Sequence, residues 1–171
     1  MAYEEHFGYK AFDSNRKNQI GQLFEEGKIY TSEGELRPGM YDYKNMNGYH
    51  MSENIANVFR FFDSECDGIT VAEVRGFGEC LSFEDTYNGY FDMYVCQNLE
   101  ILKFLSREEI IENIVTLNEF EIVKFLNTYK LNEEEKTLLS KQFKNNDIVY
   151  NALQYFQYNN KDVYQKRMLL R

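Results

Sequence analysis

The sequence contains no tryptophan and only one proline, Pro38, and it has neither proline nor glycine from Tyr90 to Arg171. All ten glycines lie between Gly8 and Gly89. Because glycine and proline mark turns and interrupt helices, this uneven distribution predicts a turn-rich, mostly β first half and a mostly helical second half.

The sequence also lacks a long apolar segment and a disulfide framework. No apolar run approaches the ~20 residues that a membrane-spanning helix needs. Residues 1–6 have neither the basic nor the apolar region of a signal peptide. The three cysteines, Cys66, Cys80 and Cys96, are an odd number without regular spacing, which is typical of a reducing compartment. We therefore expect a cytoplasmic protein without a membrane partner.

Positive charge is scarce: 19 basic residues face 28 acidic ones, which gives a net charge of −9. A field of this sign repels phosphate backbones, so direct binding to nucleic acid is not expected. The same field favours a protein partner with a basic surface; the simpler interpretation is that the negative charge keeps a small protein soluble.

The glycine-containing half has the patterns of strands and one helix. Ser52 is placed to cap a helix in which Ile55, Val58, Phe59 and Phe62 share one face. Short runs of β-branched and aromatic residues predict strands over residues 7–12, 28–31 and 69–74, with further strand candidates at 91–96 and 99–105.

The second half contains repeated helix-start signals. Ser106, Thr116, Asn132 and Asp147 are each placed to cap the segment that follows. The pattern predicts helices over residues 107–114, 117–129, 133–143, 148–158 and 163–170. We expect an α+β fold in which a small, mostly antiparallel sheet with one packed helix spans residues 1–112 and a helical appendage, packed as a small bundle, spans 113–171.

One segment resembles a calcium-binding EF-hand loop. Asp63, Glu65 and Asp67 have the spacing of the first three ligands, and Gly68 occupies the position of the sharp turn. Glu73 falls one residue short of the position that needs a bidentate glutamate, and the β-branched residues after Gly68 favour a strand over an exit helix. These three acidic residues are therefore only weak metal-site candidates.

The two histidines, His6 and His50, give little support for catalysis or metal binding. His50 precedes the predicted helix and is a weak catalytic candidate, with a structural histidine bonded to nearby backbone as the alternative. A zinc site built from His50 and the three cysteines lacks the closely spaced pair that structural zinc sites use. We expect no cofactor.

Several short motifs occur in a fixed order over about residues 7–112. They are GYKAF at 8–12, GKIY at 27–30, GYH at 48–50, VAEV at 71–74 followed by GE at 78–79, and LSREEI at 105–110. This order resembles a family of uncharacterised bacterial and phage proteins. Members of that family usually carry a cysteine two residues after the histidine, where this chain has Ser52. The resemblance implies strands at 69–74 and 99–105 and carries no activity.

These observations favour one class of function over two alternatives. The small size, the acidic charge and the phage-associated resemblance favour a non-enzymatic interaction protein, for example an anti-CRISPR-like inhibitor of a basic host protein. The alternative is an enzyme similar to ADP-ribosyltransferases, which have a Gly-x-Tyr segment before a helix. In that case Glu73 or Glu79 would be the catalytic acid beside His50, although Tyr9 and Lys10 stand where that superfamily has Arg or His. A calcium-binding module with a degenerate loop is a third alternative.

Overall fold

The computed structural model describes residues 3–39, 45–59, 68–85 and 91–158. Within these ranges the chain forms an antiparallel sheet followed by helices, which confirms the predicted α+β class. The strands are β1 (Glu4–Phe12), β2 (Ile29–Thr31), β3 (Tyr49–Met51), β4 (Thr70–Asp85) and β5 (Phe91–Phe104). The helices are a short 3-10 helix (Ile55–Asn57), α1 (Arg107–Ile114), α2 (Glu119–Thr128), α3 (Glu133–Gln142) and α4 (Asp147–Gln157).

The sheet curls so that its first strand approaches the end of β3. The strand order is β1-β4-β5-β2, and β3 pairs with a neighbouring stretch of β5. The residue after β3, Ser52, then exchanges two backbone hydrogen bonds with Tyr9 on β1, of 2.7 and 3.1 Å. A Cβ atom at Gly8 would overlap the Ser52 carbonyl oxygen, so the close approach of the two chain segments depends on that glycine.

Two apolar clusters cover opposite faces of the sheet. Ala11 and Phe12 are neighbours on β1, yet each belongs to a different cluster, as alternation along a strand requires. One face is covered mainly by aromatic and sulphur-containing side chains together with aliphatic ones from β4 and β5. The other face packs against the 3-10 helix and against α1 to α4, through residues such as Phe59, Ile114 and Phe125.

The predicted helix after Ser52 is only partly correct. Its described part is a 3-10 turn, and its N-cap is Asn54, whose side chain accepts a hydrogen bond from the Ala56 amide at 2.9 Å. Ser52 does not cap this turn, because its backbone pairs with Tyr9 and its hydroxyl donates to the Asp92 carbonyl oxygen at 2.9 Å. Phe62 lies outside the described residues.

The strand predictions are confirmed in place and corrected in length. The segments 91–96 and 99–105 form one continuous strand, β5. The predicted strand at 69–74 extends to Asp85, past Gly76 and Gly78. A shift of register between Phe77 and Cys80 lets β4 continue beyond these glycines.

The helix positions agree closely with the sequence, and two of the four predicted caps are wrong. Ser106 and Asn132 form capping boxes as expected. The cap of α2 is Asn118, since the Thr116 hydroxyl donates back to the Asn113 carbonyl oxygen. The cap of α4 is Asn146. The predicted helix at 163–170 lies outside the described residues. None of the described helices is long and apolar enough to span a bilayer.

Candidate functional site

His50 lies on β3 and is held by backbone groups. Its side chain is buried, and its Nε2 accepts a hydrogen bond from the Gly39 amide at 3.2 Å. The ring makes a second hydrogen bond with the Gly48 backbone. Burial, reinforced by the nearby positive charge of Lys10, lowers the pKa of His50 to about 3. The imidazole is therefore neutral near pH 7, and its contacts are those of a structural histidine.

Lys10 on β1 is an ionisable group beside His50. Its Nζ donates to the His50 carbonyl oxygen at 2.8 Å, and burial lowers the pKa of this amine to about 8. Both residues line a cavity of about 180 Å³. Among the described residues around this cavity there is no carboxylate that could act as an acid or base with His50.

Glu73 and Glu79, the predicted acids of an ADP-ribosyltransferase-type site, lie elsewhere on β4. Glu73 is opposite Tyr9 and Lys103 in the strand register, and Glu79 lies within the register shift before Cys80. Neither is among the described residues that line the His50 cavity. The structure therefore gives that enzymatic hypothesis no geometric support. Asp63, Glu65 and Asp67, the calcium candidates, lie outside the described residues.

An acidic groove of about 750 Å³ lies where the turn after β3 meets the ends of β4 and β5. We use the name acidic groove for the site formed by Glu53, Asn57, Phe83, Glu84, Asp92 and Tyr94 and the polar residues between them. No basic residue is present among its described lining residues, although three carboxylates are. Three carboxylates, those of Glu53, Glu84 and Asp92, therefore line one concave site in the described part of the chain.

Asn57 gives the acidic groove an unusual acceptor. Its side chain is 4% exposed, and its amide nitrogen donates to the Ser52 hydroxyl at 3.2 Å and to the Asp92 carbonyl oxygen at 3.3 Å. Its Oδ1 has no hydrogen-bond partner within the described structure. An unsatisfied buried acceptor carries a desolvation cost.

Three potential metal ligands lie close to this groove. The donor atoms of Glu4, His6 and Cys80 are all within 4.8 Å of one another. Cys80 also faces Cys96 across β4 and β5, and both are free thiols.

The sequence did not reveal either of these groups. The acidic groove combines side chains from three separate segments, and none of its carboxylates stands out among the 28 acidic residues of the chain. Glu4 and His6 approach Cys80 only because β1 pairs with β4. The predicted strand began at residue 7, so the sequence did not place Glu4 and His6 on a strand at all, whereas β1 begins at Glu4.

Comparison of the chain with protein-family models, with curated proteins and with solved structures gave no match.

Proposed function

We propose that the protein is a non-enzymatic interaction protein whose acidic groove binds a cationic side chain of a basic protein partner. The observation that carries the proposal is that three carboxylates line one groove with no basic residue among its described lining residues. The acidic groove is one defined site within a chain whose net charge is −9.

The charges of the acidic groove favour a cation over any other ligand class. Glu53, Glu84 and Asp92 come from the turn after β3, from β4 and from β5. Carboxylates collected in a concave site with low-dielectric walls reinforce one another's potential and attract a group of opposite sign. A phosphate or a carboxylate ligand would be repelled by the same three groups.

The polar and aromatic groups favour a guanidinium or an ammonium group as that cation. Both groups carry only hydrogen-bond donors, which match the carboxylates of the acidic groove. Phe83 and Tyr94 add two aromatic rings to the groove, and the face of such a ring attracts a cation. An arginine side chain uses all of these features together, because its planar guanidinium donates in several directions and stacks on rings.

Occupying a basic surface is also how an acidic protein would inhibit a nucleic-acid-handling partner. Binding of this kind competes with the phosphate backbone for the same arginine and lysine side chains. The expectation of an inhibitor of a basic host protein, as an anti-CRISPR protein would be, is a further extension of the proposal.

Calorimetric titration with defined peptides tests the groove directly. The probes are an arginine-rich peptide and a peptide of equal length in which glutamine replaces each arginine. We expect the arginine peptide to bind and the glutamine peptide to show no heat of binding. The affinity of the arginine peptide should fall as salt is raised, because exposed charges are screened over about 8–10 Å at physiological ionic strength.

A pair of double variants with equal charge distinguishes the groove from the general acidity of the chain. In the first, Glu84→Gln and Asp92→Asn remove two groove carboxylates; in the second, Glu112→Gln and Glu134→Gln remove two exposed carboxylates of α1 and α3. We expect at least a tenfold loss of affinity in the groove variant, since hydrogen bonds to charged groups contribute roughly 1.5–3 kcal/mol each. The helix variant should bind like the parent. Equal losses in both variants, or no binding of the arginine peptide at all, would overturn the proposal.

A further inference from the structure

The Glu4, His6 and Cys80 side chains converge at one end of the sheet. Glu4 and His6 are two residues apart on β1, so both side chains lie on the same face of the strand. They pair with Gly78 and Gly76 of β4, which have no side chains to separate them from Cys80. As a result a carboxylate oxygen, an imidazole nitrogen and a thiol sulphur lie within 4.8 Å of one another.

His6 presents each of its ring nitrogens to a carboxylate oxygen. Its Nε2 lies 3.1 Å from Glu4 Oε2, and Nδ1 lies 3.1 Å from Glu53 Oε1. A metal ion bound to Nε2 is also within reach of the Glu4 carboxylate, while Nδ1 donates a hydrogen bond to Glu53. Histidine ligands of metals usually have such a carboxylate or carbonyl partner on the second nitrogen.

We propose that Glu4, His6 and Cys80 bind a zinc ion, or another borderline divalent transition-metal ion, with Glu53 orienting the histidine. Cys80 releases its thiol proton to solvent on binding and coordinates as the thiolate. The zinc site adjoins the acidic groove and shares Glu53 and Tyr94 with it, but it is argued from different ligands.

The donor set selects the class of metal. Thiolate and imidazole ligands suit zinc and its neighbours in the first transition series, whereas calcium and magnesium take oxygen ligands almost entirely. Three protein ligands complete a tetrahedral zinc site with one position left for water or for a fourth side chain.

The surroundings of the three ligands stabilise their arrangement. Tyr94 stacks on the His6 ring with the ring centroids 3.9 Å apart, which limits rotation of the imidazole. The Cys96 Sγ lies 2.8 Å from the Cys80 Sγ, so a second thiol is next to the site. Cys80 and Cys96 are buried, whereas Glu4 is exposed and His6 half-buried, which leaves the site open to ions from one side.

Cobalt absorption and zinc calorimetry test the site in the full chain. Cobalt(II) replaces zinc in tetrahedral sites and gives a charge-transfer absorption band when a thiolate coordinates it. Both titrations use a phosphine reductant, so that Cys80 and Cys96 stay reduced. We expect one zinc ion per chain and a thiolate-to-cobalt band with the parent protein. The band should be absent with Cys80→Ser, and zinc affinity should fall at least tenfold with His6→Gln.

Two glutamate substitutions on β1 provide a matched pair that does not depend on the buried thiol. Glu4→Gln removes a proposed ligand, whereas Glu5→Gln changes the neighbouring residue, whose side chain contacts Arg75 at 2.8 Å instead. We expect weaker zinc binding only with Glu4→Gln, and far-ultraviolet circular dichroism should show both variants folded. A parent protein without the cobalt band, a band that persists in Cys80→Ser, or equal zinc affinities of the two glutamate variants would overturn the proposal. Because the peptide titration of the acidic groove uses no metal, its failure and the failure of the zinc site are distinguishable.

Discussion

Arg107 at the start of α1 and Glu135 in α3 form a two-point ion pair. The guanidinium Nη2 donates to Glu135 Oε1 at 2.6 Å, and Nε donates to Oε2 at 3.3 Å. Glu135 is 8% exposed and also accepts a hydrogen bond from the Asn132 backbone amide at 2.8 Å as part of the α3 capping box. The Glu135 carboxylate therefore belongs to the N-terminal capping box of α3 and also links α3 to α1.

Removing the Glu135 carboxylate should destabilise the helical part of the protein. We expect Glu135→Ala to lower the free energy of unfolding by about 2–4 kcal/mol, because Arg107 loses this carboxylate partner and the capping box loses one of its two hydrogen bonds. Glu134→Ala changes an exposed neighbour in the same helix turn and should cost less than about 1 kcal/mol. Urea unfolding followed by circular dichroism measures both values. Equal losses would show that the ion pair contributes nothing specific.

Gln157 should be essential for joining α4 to the end of α2. Its Nε2 donates to the carbonyl oxygens of Leu126 and Tyr129, both at 2.7 Å, and its Oε1 accepts from the Leu131 amide at 3.1 Å. Gln157→Glu places an oxygen against two carbonyl oxygens, so we expect a loss of about 2–3 kcal/mol in unfolding free energy. Thermal unfolding of Gln142→Ala, an exposed position at the end of α3, is the control and should be close to the parent. A Gln157→Glu protein as stable as this control would contradict the prediction.

Gly8→Ala should disturb the contact between β1 and the residue after β3. The added Cβ overlaps the Ser52 carbonyl oxygen, which also accepts a hydrogen bond from the Tyr9 amide. Forcing an atom into a packed contact costs typically 1–3 kcal/mol, and we expect a loss in the upper part of that range. Gly39→Ala is the matched control, since its Cβ would meet only Met46 at 3.8 Å. Chemical denaturation of both variants decides the prediction, which fails if their midpoints coincide.

The stability of the protein should fall in acid because His50 is buried in its neutral form. Its pKa is about 3 in the folded state and near 6.5 in the unfolded chain. Between these values the unfolded chain binds a proton that the folded protein does not, so stability rises with pH and is lost as pH falls below about 6.5. The difference amounts to about 3 kcal/mol between pH 7.5 and pH 4.5.

His50→Gln removes this titration and should flatten the corresponding part of the pH profile of unfolding free energy. His6→Gln, which leaves His50 in place, should keep the decrease in acid. Urea unfolding of the three proteins at a series of pH values between 4.5 and 7.5 provides the measurement. A parent profile that is level over this range would contradict the burial argument.

Much of the helical half could be predicted from sequence because its signals are local. The capping boxes at Ser106 and Asn132 and the apolar stripes that follow gave helix bounds within about two residues of α1, α2, α3 and α4. The errors at Thr116 and Asp147 concern which of two neighbouring polar residues accepts the amide. That choice depends on competing hydrogen bonds such as the one from Thr116 to Asn113.

The sheet was predictable as a set of strands but not as an arrangement. The local pattern of β-branched and aromatic residues showed where β1, β2 and β4 lie, because such side chains favour extended backbone. It did not show that residues 91–105 form one strand, or that Ser52 pairs with Tyr9 instead of capping a helix. Both outcomes depend on partners far away in the sequence.

The sequence alone determined the α+β class, the division into a glycine-containing half and a helical half, and the strongly acidic charge. These properties follow from composition and from interactions between residues close along the chain. Only the tertiary structure decided that Glu53, Glu84 and Asp92 share a groove with Asn57, and that Glu4 and His6 meet Cys80. Strand pairing brings these residues together from distant positions, and the pairing is selected by the burial of both faces of the sheet, which no short segment encodes by itself.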